Sequence, residues 1–265
     1  MGGIMILTAI IENTNTYIGC ADERDSRILF ETCISTARDR TQIEYEFMIK
    51  NILEVKGIDP AEINGGIIAS CVSDMTDIIK AAAEAVLSVR LLEVGPGLKS
   101  GVDIRIDDPA TLGADLLIAA AAGISEYGSP LVIANLCTVG TLSVIDPDRK
   151  FTGCLIIPGI KTGLESFAAS TAALPKVAAR IPDRLIGNST ERSMQSGVIY
   201  GCAASIEGLT ERIREELGVS DISLVFTGEY GDMVAQCCRR QHFTDKHLMM
   251  KGLIIIYKKN RRIRT

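Results

Sequence analysis

The chain of 265 residues has no apolar run long enough to cross a bilayer. Its longest, Leu116 to Gly123 with four alanines, falls far short of the roughly 20 residues a spanning helix needs. No basic stretch followed by an apolar core and a small-residue cleavage site follows Met1, so no secretory signal is read and the cytoplasm is the expected location. Excess positive charge is missing too. With 28 Lys+Arg against 33 Asp+Glu the net charge is −5, which argues against a surface built to coat nucleic acid. The eight cysteines, at 20, 33, 71, 137, 154, 202, 237 and 238, lack both paired CxxC spacing and a regular framework, and read as buried thiols. One cluster, Cys237, Cys238, His242 and His247, is weighed as a metal site, with packing or surface roles the better reading and no metal ligand assigned.

What is present is apolar content of 47% with 23% charged residues, enough to bury a large core in one large domain or two ordinary ones. Ile4 to Ile11, Tyr17 to Ala21 and Arg27 to Ile34 are β-branched runs between polar breaks and predict three meandering strands. Ile43, Phe47, Ile52 and Val55 repeat at a helical period that Gly57-Ile58-Asp59-Pro60 stops. A strand at 66–72, a helix at 74–89 and a strand at 90–94 complete the order βββαβαβ. Residues 131–136, 141–145 and 151–157 open a second series of strands. Glu191 to Leu217 is the clearest helix, with Met194, Val198, Cys202, Ile206, Leu209, Ile213 and Leu217 on one stripe. A strand at 223–227, a helix at 230–240 and a helix or strand at 246–259 follow. Lys258, Lys259, Arg261, Arg262 and Arg264 read as a solvated tail. Two halves with one element order predict a duplicated α/β fold, with ligands at the carboxyl ends of the strands, between the halves.

Two turns hold matching places after the first strand of each half: Glu12-Asn13-Thr14-Asn15-Thr16 and Cys137-Thr138-Val139-Gly140-Thr141. Each is an ordinary hairpin turn taken alone. As a pair, their N–H and hydroxyl groups suit an anion. Asp115 opens an apolar helix, either as its cap or as a general base facing the cleft. The segments 94–101 and 153–159 are rich in Gly and Pro, which turn chemistry alone explains.

The order of Glu12-Asn13-Thr14-Asn15, Pro96-Gly97-Leu98-Lys99-Ser100-Gly101, Gly113-Ala114-Asp115, Thr138 to Thr141, Gly153 to Gly159, Gly187-Asn188-Ser189-Thr190, Met194 to Gly201 and Thr227-Gly228 resembles the type III pantothenate kinases over nearly the whole chain. The resemblance implies an α/β fold of two duplicated ribonuclease-H-like domains, with the acetate and sugar kinase/Hsp70/actin architecture. We place these domains at 1–118 and 119–265, the second carrying the dimerisation helix. It also implies Asp115 as catalytic base. Asn13, Thr14, Asn15, Asn135, Thr138, Thr141 and Gly228 would face ATP, and Gly97, Lys99, Gly101 and Gly113 the acceptor. Thr190 would reach into a neighbouring subunit's pantothenate pocket. ATP and Mg²⁺ are the implied cofactors, with a monovalent cation as a further candidate ion. Neither nucleic acid nor a membrane is an expected partner.

The departures gather on the ATP side. Where the family has Asp-Ile-Gly-Asn-Thr-Asn, Ile10 takes the Asp position and Glu12 the Gly position. In the second phosphate motif Asn135 replaces Asp, Cys137 replaces Gly and Gly140 replaces Thr. Glu229 replaces the last Gly of Thr-Gly-Gly. On the acceptor side Leu116 stands where an Arg follows the catalytic Asp, which removes the family's contact to the pantothenate carboxylate in this chain's own pocket. Phosphoryl transfer needs metal neutralisation and close backbone approach, because negative charge spreads over the phosphate oxygens. A carboxylate at Glu12 costs a bound polyphosphate on the order of 1–4 kcal/mol. The sequence is therefore read as a pantothenate kinase homologue of coenzyme A biosynthesis, impaired in ATP binding. It would act as the partner or regulatory subunit of an active paralogue, in a heteromer or homodimer. The alternative is an active ATP-dependent kinase for pantothenate or a related small hydroxy acid. An orphaned duplicate with another ligand in the old cleft is a third reading.

Overall fold

The computed structural model describes residues 4–261. They form two compact units, one of residues 4–101, 110–122 and 249–261, the other of residues 102–109 and 123–248.

The first unit is built on strands β1 (Met5–Ile11), β2 (Asn15–Asp22), β3 (Ile28–Ser35), β4 (Ile63–Ser70) and β5 (Leu91–Glu93). Their order in the sheet is β3-β2-β1-β4-β5, with β1 antiparallel to β2 and parallel to β4. Helices α1 (Gln42–Val55) and α2 (Ser73–Leu87) make the crossovers and cover one face, where Leu7, Ala9, Ile11, Ile18 and Ile68 meet Tyr45, Ile49, Leu53, Met75 and Ile79. Helix α1 starts at a capping box, with the Thr41 N–H donating to the Glu44 carboxylate at 2.8 Å. It ends before Gly57, whose φ of 68° leaves the helix.

The buried face of α1 is not the one the periodicity picks out. Ile43, Phe47 and Val55 are exposed, and Tyr45, Ile49 and Leu53 are buried. Tyr45 can go inside because its hydroxyl donates to Ala37 O and accepts from Ala37 N–H, both at 3.1 Å.

Helix α3 (Ala114–Tyr127) begins in the first unit and ends in the second. Helix α7 (Leu248–Arg261) returns to the first unit from beyond the whole of the second. It lies across the sheet with Met250 against Gly19 and the Tyr257 hydroxyl against Gly65. At Gly252 it crosses α3 so closely that a Cβ would fall inside 3.0 Å of the Ile118 backbone. The basic end of this helix is no solvated tail. Lys258 Nζ donates to Ser26 Oγ at 2.6 Å and Arg261 pairs with Glu23. Arg262 and Arg264 lie outside the described residues.

In the second unit β7 (Leu131–Leu136), β8 (Val139–Ile145), β9 (Lys150–Pro158), β10 (Ser223–Thr227) and β11 (Phe243–Thr244) run in the order β9-β8-β7-β10-β11. That repeats the first sheet, with β6 (Asp103–Ile104) added beside β9. Helices α4 (Ile160–Ser170), α5 (Thr190–Glu216) and α6 (Gly231–Ala235) cover the face of Val132, Ala134 and Leu136. The long apolar stripe of α5 is a core face, since Met194, Ile206 and Ile213 are buried there and Val198, Cys202, Leu209 and Leu217 pack partly buried around them. The helix expected over 230–240 stops at Ala235. Beyond it the chain wraps the Glu207 carboxylate, which accepts the N–H groups of Arg239 and Arg240 and, at 3.3 Å, the Cys238 thiol.

Candidate active site

The first unit brings together Glu12, Cys71 and Asp115. Strand β1 ends at Ile11, whose carbonyl accepts the Cys71 N–H at 2.9 Å, so the residue after β4 stands beside the β1–β2 turn. In that turn Glu12 N–H donates to Asn15 O at 2.9 Å. Asn13 and Thr14 are exposed, Asn15 is half-buried, and the Thr14 carbonyl accepts the Thr36 N–H. Asp115 lies in the first turn of α3 and folds back over Gly113, where a Cβ would overlap Oδ1. Its carboxylate accepts the Cys71 thiol. Burial of that thiol, then the charges of Asp115 and Glu12, push Cys71 up to about 12, although the residue has exposed surface. Ile10, by contrast, is 4% exposed and offers no polar atom. The acceptor segment is also in this unit. Gly97 and Gly101 take φ of 91° and 78°, Lys99 is exposed, and the Lys99 backbone is bound by Asn260 of α7.

The second unit carries the rest. Asn135 ends β7 at 5% exposure, in register with Thr141 on β8 and Thr227 on β10. Its Oδ1 accepts the Cys137 thiol at 3.4 Å and lies against Gly228, which has a φ of 86° and no room for a side chain. Thr141 Oγ1 and Thr227 Oγ1 are buried and have no hydrogen-bond partner among the described residues. Thr138 O accepts the Thr162 hydroxyl at 2.7 Å, and Gly159 packs so tightly on the 137–138 backbone that a Cβ would fall inside 3.0 Å of both carbonyls. Glu229 hydrogen-bonds Tyr230. Burial, then Glu229 and Glu165, push the Tyr230 hydroxyl up to about 12, so two carboxylates stand near the segment expected to face adenosine. Thr190, exposed as the first residue of α5, lines a groove of about 660 Å³ with Phe167, Leu174 and Met194.

Cys71, Asn260 and Glu165 escaped the sequence reading, because each reaches its position only through tertiary packing. The Cys237, Cys238, His242, His247 cluster does not assemble around a shared centre. Cys238 turns to Glu207 and His242 sets its ring on edge against Phe226. Among the described residues no group of three or more His, Cys, Asp or Glu is placed to hold a metal ion, and no helix is long and apolar enough to cross a membrane.

Residues 6–212 match the family model for type III pantothenate kinase. A type III pantothenate kinase of Exiguobacterium sp. is 31% identical over 97% of this chain and 100% of its own length, and one of Bacillus cytotoxicus is 31% identical over 97% of each. Among solved structures, a Campylobacter jejuni protein described as of the Baf transcriptional activator family aligns with TM-score 0.60 at 18% identity, covering 97% of this chain and 99% of its own. The activator of 2-hydroxyisocaproyl-CoA dehydratase from Clostridium difficile, with bound ADPNP, aligns at 0.53 and 9% over 99% and 98%. At those identities the structures bear on the fold alone, and with the repeated strand order they give the architecture shared by sugar kinases, Hsp70 and actin. The family model and the full-length relatives agree on one assignment, and the chain belongs to the type III pantothenate kinase family.

Proposed function

We propose that this chain is a pantothenate kinase homologue impaired in ATP binding, serving coenzyme A biosynthesis as the partner subunit of an active paralogue. The observation that carries the reading is Ile10. At the end of β1, where the family's Asp would stand, a 4% exposed aliphatic side chain offers nothing to a cation or its waters. Asn135 supplies an amide in place of the second carboxylate, so the residues at these two strand ends do not fit Mg²⁺, and we derive no step through it. Glu12, Glu229 and Glu165 add negative charge to the segments that would meet a polyphosphate or its nucleoside. A monovalent cation finds a better set in Thr141 Oγ1, Thr227 Oγ1 and Asn135 Oδ1, three neutral oxygens on neighbouring strands.

The acceptor side keeps part of its chemistry, with Leu116 in place of the Arg that would meet the pantothenate carboxylate in this chain's own pocket. Asp115 is the candidate base that would take a proton from a substrate hydroxyl, and the Cys71 thiol holds its carboxylate in place. Asn13 and Thr14 stand exposed in the turn of the first unit, and Thr138 lies in the corresponding turn of the second. For a partner chain, α5 offers Thr190 at its start, the exposed Leu185 and Ile186 just before it, and an exposed face of Gly197, Gly201, Ala204 and Gly208 with open space above the glycines. A neighbour's pocket completed by Thr190 needs nothing from Ile10 or Asn135.

The active-kinase alternative has its own observation. Glu12 and Asp115 both act on Cys71, so two carboxylates approach one point at the ends of β1 and β4. Calorimetric titration of the chain alone with ATP and Mg²⁺, beside steady-state assay of Asp115→Asn, separates the readings. We expect no saturation at micromolar ATP and no turnover for Asp115→Asn to abolish. Metal-dependent micromolar affinity, with turnover reduced about 10²–10⁴-fold by Asp115→Asn, would establish the kinase instead.

A further inference from the structure

We propose that Asn260, on α7, is a positioning residue for the acceptor: it clamps the backbone of Lys99 and so fixes the loop 96–101 in the shape that receives substrate. The inference rests on reading 96–101 as the pantothenate loop.

Asn260 is 4% exposed and its amide is fully used. Oδ1 accepts the Lys99 N–H at 3.0 Å, and Nδ2 donates to Lys99 O at 2.9 Å and to Ile256 O at 2.8 Å. The side chain thus binds both polar groups of one peptide residue, as a neighbouring strand would. At neutral pH this takes an amide, because the pair of bonds needs an acceptor and a donor side by side and an ionised carboxylate only accepts. The loop requires such a hold. Gly97 and Gly101 both take left-handed φ, and glycine gives a loop more freedom to lose than any other residue. Gly101 also lies against the Lys259 side chain, where a Cβ would overlap Nζ.

The clamp is itself anchored. Tyr257 lies over Gly65, Lys258 donates to Ser26 and Arg261 pairs with Glu23, so the turn of α7 that carries Asn260 is tied on either side. Nothing in the clamp touches a reacting atom. Its loss lowers the fraction of molecules with the loop in place, which weakens acceptor binding far more than it slows a bound substrate.

The test compares wild type with Asn260→Ala and Asn260→Asp, using amide hydrogen exchange across 96–101 and calorimetric titration with pantothenate. In Asn260→Ala we expect exchange in the loop to rise and pantothenate affinity to fall about tenfold or more, with a cooperative melt retained. Asn260→Asp keeps the acceptor and loses the donor. Its affinity should recover as the pH is lowered and the carboxyl gains a proton to donate to Lys99 O, a response that general loosening would not give. If Asn260→Ala does not fold, Asn260→Asp carries both measurements. Unchanged exchange, or unchanged affinity despite faster exchange, overturns the proposal. A wild-type chain with no affinity for pantothenate overturns the substrate role of the loop and leaves the partner-subunit reading standing, since that reading asks only that Thr190 complete a neighbour's pocket; loop exchange still reports whether the clamp exists.

Discussion

Strands β1 and β7 hold the same place in the same strand order, yet they finish differently. The first ends in Ile10 and Ile11, both inside an apolar sheet. The second ends in Asn135 and Leu136, with a buried amide in register with Thr141 and Thr227, whose hydroxyls have no hydrogen-bond partner among the described residues. The sheets tolerate both endings because their topology is set by the strand interiors, where Leu7 and Ala9 in one unit do the work of Val132 and Ala134 in the other. The last residue before a functional turn is free to follow chemistry or stability. At Ile10 it has followed stability. A buried Ile side chain contributes about 1.5–3 kcal/mol by leaving water, whereas an unpaired carboxylate there would cost energy.

The strongest way to break that comparison is to put the carboxylates back. Ile10→Asp should destabilise the chain by about 3–5 kcal/mol and lower the melting temperature by roughly 10 °C, since the site is 4% exposed and its register partners, Tyr17 and Ala69, bring no positive charge. Asn135→Asp should cost less than about 2 kcal/mol, because the Cys137 thiol and two free hydroxyls can donate to it. Equal losses measured by denaturant unfolding would mean that the two strand ends are alike after all.

Next come the glycines on which each unit closes. Gly252→Ala forces α7 off α3, and Gly159→Ala presses on the 137–138 turn. Backbone cannot yield as a side chain can, so each should cost about 2–3 kcal/mol in thermal melts. A cost near zero at either would show that its contact can open without loss.

A smaller difference concerns thiols. Cys33 on β3 and Cys154 on β9 are exposed, one in each unit, and Cys71 has exposed surface as well. Burial and two carboxylates hold Cys71 near 12, which leaves little thiolate at pH 8. Mass-spectrometric alkylation should modify Cys33 and Cys154 at least about tenfold faster than Cys71. Matching rates would dissolve the Glu12, Cys71, Asp115 cluster.

The smallest effect is the pH response of the second unit. Burial alone would raise Glu207, but the backbone N–H groups of Arg240 and Arg239 and the Cys238 thiol bring it below the usual 4.5. A carboxylate depressed in the folded state stabilises above its unfolded pKa and loses that contribution as the pH falls through the folded one. Stability should therefore decline below about pH 4.5, by less than about 1 kcal/mol for this partly exposed group, and Glu207→Gln should flatten the decline in acid unfolding curves.

Most strands were legible because apolar runs end at turn residues, and the repeat was legible because both halves spend those turns in the same order. Three misreadings have separate causes. The apolar residues of α1 surround the helix, so Ile43 and Phe47 fit a helical period as well as the buried Tyr45 and Ile49 do. Helix α6 ends early because Glu207, on another helix, outbids the helical pattern for the backbone of 238–240. Strands β6 and β11 are two residues each, too short for any pattern to register. Lys246 to Lys259 left helix or strand open, and packing chose the helix. In the candidate site the turns and Asp115 announced themselves by motif. Cys71 and Asn260 could not, since each acquires its meaning from a residue distant in sequence, 161 positions away for Asn260 and Lys99.

The return of α7 also fixes an order of events during synthesis. Strands β1 to β5 have all been made once Glu93 is added, but the helix that covers Gly19 and Gly65 begins at Leu248, after every element of the second unit. At 5–20 residues per second, one face of the first sheet waits on the order of ten seconds for its cover. The second unit, whose residues 123–248 are complete by then, can close earlier. The part of the protein made first is therefore finished last, and a chain stopped short of residue 249 leaves behind an open sheet with an apolar face.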